Sequence, residues 1–123
     1  MKKVLFILLL CFFMIGAKAQ LANTKWAMNI KINDNDVPTI FAFCKDTLVV
    51  TVEGDGSLIE KMTYTVKDGA FTIKKTEGQS DCDESAAGTY KFEIKDGAMV
   101  LTMVSDDCIG RIDVLDKAKL VKK

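Results

Sequence analysis

After residue 20 the chain is cut at short intervals by Asn, Asp and Gly, and between the cuts apolar side chains recur at every second position. A period of two is the pleat of a strand with one buried face, not the 3.6-residue period of an amphipathic helix. Strands are expected at about 24–33, 39–44, 47–53, 57–66, 70–76, 88–95, 98–105 and 111–116. No stretch of ten or more residues carries a clean helical period, and the only proline is Pro38. The buried faces follow from the alternation. Trp26, Met28, Ile30 and Ile32 share one side of the first strand, opposite Asn29 and Lys31. Tyr90, Phe92 and Ile94 oppose Lys91 and Glu93, while Met99, Leu101 and Met103, and Phe71 with Ile73, mark two further faces.

Segments 64–73 and 90–99 are alike: each is a strand, a Lys-Asp-Gly turn and a second strand. Asp68-Gly69 and Asp96-Gly97 supply the positive φ values that tight hairpin turns demand. Eight short strands with one apolar face each must bury those faces on one another. An eight-stranded antiparallel up-and-down barrel does this and leaves no sheet edge bare. A two-sheet β-sandwich is the alternative, because periodicity alone does not separate the two.

The first 19 residues have the anatomy of an export leader. Lys2 and Lys3 precede 12 apolar residues, Val4 to Ile15, and Ala17-Lys18-Ala19 presents small residues where a signal peptidase cuts, before Gln20. The apolar run falls short of the roughly 20 residues that span a bilayer. Cys11 follows Leu10, whereas lipoprotein processing wants a small residue there. The expected product is residues 20–123, one exported domain of 104 residues, periplasmic or extracellular. Losing Lys2, Lys3 and Lys18 leaves 14 basic against 17 acidic residues, a net charge of −3. A mildly acidic domain without a basic stripe is a poor partner for nucleic acid or anionic lipid. Histidine is absent, which removes the usual general base near neutral pH and the commonest nitrogen ligand for metals. No enzyme activity and no cofactor are expected.

Asn23-Thr24-Lys25-Trp26 opens the first strand much as the Gly-x-Trp motif opens a lipocalin, and Arg111 stands where lipocalins carry an arginine across that tryptophan. The segment from Gly88 to Arg111, ending Asp107-Cys108-Ile109-Gly110-Arg111, resembles small secreted lipocalin-like (calycin) proteins of Bacteroidota-type bacteria. The resemblance implies a barrel with an interior ligand site and a structural Trp26–Arg111 pair. A guanidinium stacked on an indole is worth on the order of 1 kcal/mol.

Strand counting sorts the connections by end. Turns at 45–46, 67–69 and 95–97 share one end, and loops at 34–38, 54–56, 77–87 and 106–110 share the other. Cys82 and Cys108 therefore lie in loops at one end and are expected to pair in an oxidising compartment. Closing a separation of 26 residues contributes about 3.5 kcal/mol in the chain-entropy model. Cys44 is then free, either buried as a small hydrophobe or linked to another chain. The loop end also gathers Asp34, Asp36, Asp55, Asp81, Asp83, Glu84, Asp106 and Asp107, which read as solvated loop residues or as a carboxylate rim. Their spacing does not match a calcium loop, and no metal site is expected.

Two functions remain open. A binding module would hold a small hydrophobic molecule against interior walls drawn from Trp26, Met28, Phe41, Phe43, Met62, Tyr64, Phe71, Tyr90, Phe92, Met99 and Met103, with Glu60 as the obvious polar group of the inward set. A solid barrel would instead work as an envelope or extracellular interaction protein through its acidic loop end. No protein partner is indicated.

Overall fold

The structure, a computed structural model, describes residues 21–123. The expected leader and its cut before Gln20 lie outside them. Eight antiparallel strands run β1 (Thr24–Ile32), β2 (Asn35–Phe43), β3 (Thr47–Val52), β4 (Leu58–Lys67), β5 (Ala70–Gly78), β6 (Ala87–Lys95), β7 (Ala98–Asp106) and β8 (Lys119–Lys122), with a short helix α1 (Ile109–Leu115) before the last. Each strand pairs with its sequence neighbours, and β8 pairs with β1, so the sheet closes as an up-and-down barrel.

Turn chemistry sets the register. Asp68-Gly69 and Asp96-Gly97 have φ of 53°, 74°, 53° and 76°, the mirror-image turn that matches strand twist. Asn33 and Asp34 do the same at 52° and 64°. The first hairpin consequently needs only two residues, and the loop expected at 34–38 is instead strand: β2 begins at Asn35, with Pro38 exposed on its outer face. Pro38 has no N–H to offer, but its carbonyl accepts from Glu53 N at 2.9 Å.

Alternation puts the expected apolar faces inside. Trp26, Tyr90, Met99, Phe71 and Ile73 are each at most 1% exposed. At the turn end, where Asp68-Gly69 and Asp96-Gly97 lie, aromatic rings fill the barrel. Phe43 meets Tyr64 and Phe71 edge-on at 5.2 and 5.7 Å, and Phe71 stacks on Phe92 at 5.9 Å. Leu21, fully buried, joins this core from the chain entering β1.

The eighth strand differs from expectation. Residues 109–115 are helical, and the strand that closes the barrel is Lys119–Lys122. With four residues, β8 pairs only with Trp26 and Ala27 of β1 and with Ala98–Val100 of β7. Beyond β8 the chain before it serves the bare edge of β7: Leu101 N donates to Ala118 O at 2.9 Å and Met103 N to Asp116 Oδ1 at 3.0 Å. The barrel is therefore sealed by strand at its turn end and by helix at its loop end.

Candidate functional site

The helical half of the seam leaves space. A cavity of about 290 Å³ opens at the loop end, near the lower limit of the roughly 300–1,000 Å³ of small-molecule sites. Its walls are Ile30 and Ile32 of β1, Phe41 of β2, Val50 of β3, and Ile59, Glu60 and Met62 of β4. The loop after β5 adds Gln79, Ser80 and Cys82, α1 adds Gly110, Arg111, Val114 and Leu115, and Lys31 stands at the rim. Alternation explains the strand contributions, since Ile30, Phe41, Val50, Glu60 and Met62 all occupy inward positions.

Of the eleven expected wall residues, Phe41 and Met62 line this cavity. Trp26, Phe43, Tyr64, Phe71, Tyr90, Phe92 and Met99 are packed into the core, and Met28 and Met103 pack against it half-buried. Bulky rings leave the turn-end half no free volume. Val50, Ile59, Val114 and Leu115 went unnamed in the sequence reading. The β-branched pattern placed the first two on strands, but only the helix, which the pattern does not show, brings the last two over them.

Polar groups collect where β6 and β7 meet α1. Asp106 accepts from Arg111 Nε and Nη2 at 2.8 and 2.7 Å, from Tyr90 Oη at 2.5 Å and from Cys108 N at 2.8 Å. Arg111, 7% exposed, also donates through Nη2 to Ala86 O at 3.0 Å, and its Nη1 is covered without a partner. Burial works against both charges, yet the bonds they exchange outweigh it: Asp106 is held below the usual carboxylate range and Arg111 above its ordinary value. Burial, and then the bond to Asp106, push the Tyr90 hydroxyl far up, so it stays a donor. Gly88 makes room for this fork, because a Cβ there would lie 2.5 Å from Asp106 Oδ2 and 3.0 Å from Arg111 Nε.

This arrangement corrects the expected Trp26–Arg111 stack. The cation over the indole is Lys122 at 5.8 Å, and Trp26 Nε1 donates to Thr24 Oγ1 at 2.9 Å. Strand parity gives the reason: Trp26 opens β1 at the turn end, whereas Arg111 follows β7 at the loop end.

Glu60 forms a second polar wall. It is 7% exposed and accepts from the Ser80 hydroxyl and, at 3.4 Å, from Ser80 N. Gly78, opposite it on β5 with φ 143°, is required here: an added Cβ would lie 2.0 Å from Glu60 Oε1.

Cys82 and Cys108 form the expected disulfide, tying the β5–β6 loop to the start of α1. Cys44 is free and exposed, which corrects the expectation of burial; its position after β2 lies past the last inward residue, Phe43. The acidic loop residues do not act together. Asp55 and Asp83 accept from the backbone and hydroxyl of Ser57 and Ser85, bonds that lower both carboxyls, and Asp106 turns inward. Among the described residues no three His, Cys, Asp or Glu side chains gather as a metal ion would need, and no helix is long and apolar enough to cross a membrane.

Fold and cavity together define a class: a closed eight-stranded up-and-down barrel, compatible with a lipocalin-like fold, hollow at one mouth and solid at the other. No family model, no curated protein and no solved structure matches the chain.

Proposed function

We propose that this chain is an exported, non-enzymatic lipocalin-like protein, of the kind small secreted Bacteroidota-type calycins represent, that holds a small hydrophobic ligand at its loop end. One observation carries the reading: the exposed wall of the cavity is mostly apolar, with Ile30, Phe41, Val50 and Met62 held on the strands of a closed barrel. Apolar surface kept open at one mouth is what a hydrophobic guest covers. A binder is favoured over an enzyme because the buried guanidinium at the cavity, Arg111, is spent on a structural partner, Asp106. Export is supported by the leader anatomy of residues 1–19 and by the Cys82–Cys108 bridge.

Titration with N-phenyl-1-naphthylamine, an uncharged apolar fluorophore, tests this. We expect one saturable site. Val50→Phe, which adds volume into the cavity, should weaken binding at least about tenfold while the protein stays folded by circular dichroism. Absence of a saturable signal, or a folded Val50→Phe variant that binds as well as the parent, would overturn the reading in favour of an interaction protein acting through its acidic loop end.

A further inference from the structure

The cavity is apolar except at one place that its hydrophobic role does not require. Glu60 is a buried carboxylate on its wall, and among the described residues no cation lies within salt-bridge distance of it. Its partners are the hydroxyl and amide of Ser80, which use only part of the roughly four acceptor positions of a carboxylate. The cations around the cavity make their close contacts elsewhere, although Glu60 acts on Arg111 at longer range. Arg111 is matched by Asp106 in a two-bond fork, and the Nη1 left over is covered by protein, so it offers no open donor. Lys31 is on the outward-facing, exposed side of β1, and Lys75 is bonded to Ser80 O. Tyr90 is a neutral donor spent on Asp106. Among the described residues Glu60 thus has no close ion-pair partner.

We propose that the cavity selects an amphiphilic amine: an apolar tail among Ile30, Phe41, Val50 and Met62, with a protonated amino head that donates to Glu60. This inference rests on the cavity being a ligand site. A buried carboxylate without a close cation is the natural seat of an ammonium group, which can take up its open acceptor positions. A carboxylate-headed ligand would instead set a second negative charge against Glu60 in a poorly solvated place. Tails of the same length isolate the head group.

Isothermal titration with octylammonium, 1-octanol and octanoate, using the full mature chain with its disulfide intact, gives the test. Octylammonium should bind at least about tenfold more tightly than octanoate, with octanol between. Glu60→Gln keeps the shape and a partner for Ser80 while removing the charge. It should shrink the ratio between the two ions to about threefold or less, whereas ammonium adsorbed on the acidic loops would be unaffected by the change. Octanoate binding as tightly as octylammonium, or a preference for the amine that survives Glu60→Gln, would overturn the head-group inference and leave the hydrophobic site standing. If all three compounds and N-phenyl-1-naphthylamine fail to bind, the site itself is wrong.

Discussion

Asp106 collects four hydrogen bonds, two from Arg111 and one each from Tyr90 and Cys108. Burial alone would raise its pKa, but these donors prevail and hold it low, so folding favours the ionised carboxylate. A group whose folded pKa is depressed contributes stability that is complete above the ordinary carboxylate range. That contribution disappears as pH falls through the lowered folded value. Asp106→Asn should therefore cost about 3 kcal/mol at neutral pH, because it strands a buried guanidinium. In urea melts taken at decreasing pH, the difference from the parent should shrink as the pH falls through the lowered folded value. An undiminished difference in acid would mean that packing, not charge, is what the carboxylate supplies. Arg111 is the only arginine of the sequence, and its planar fork suits this bidentate role, which a lysine's point charge would not fill.

Helix α1 shows what a short element hides. Arg111 and Asp113 alternate with Ile112 and Val114, which reads as a strand, and two turns are too few to display a period of 3.6. The competing information is tertiary: Arg111 and Leu115, four apart, face inward together, one to Asp106 and the other to the core. The hairpins were legible because Asp-Gly turns and alternation act locally, and the disulfide was legible because strand parity sorts loops by end. The cavity was not, because it arises from the substitution of helix for strand along half a seam. The helix ends on Asp116, and the next residue, Lys117, has φ 64°, a left-handed position that glycine fills without strain. Lys117→Gly should stabilise the protein by about 0.5–1 kcal/mol in chemical denaturation, against its greater freedom when unfolded, and leave ligand affinity unchanged. Destabilisation would show that the lysine side chain is needed where it stands.

Across the whole molecule the two mouths do different work. The turn end is stapled by aromatic packing, and the loop end by a single covalent bond between Cys82 and Cys108, separated by 26 residues. Replacing both cysteines by Ala should lower stability by about 3 kcal/mol. It should also weaken ligand binding, because Cys82 and the first turn of α1 are walls of the cavity. Equal affinity with and without the bridge would place the rigidity of the mouth in the Asp106–Arg111 fork alone. The brevity of β8 reaches beyond the cavity. The four residues of β8, with Lys123 N donating to Lys25 O at 2.9 Å, join the first strand to the seventh. Frayed at this point, the molecule becomes an open seven-stranded ribbon with two hungry margins, each able to template a neighbour. Keeping both margins covered thus falls to Lys119–Lys122.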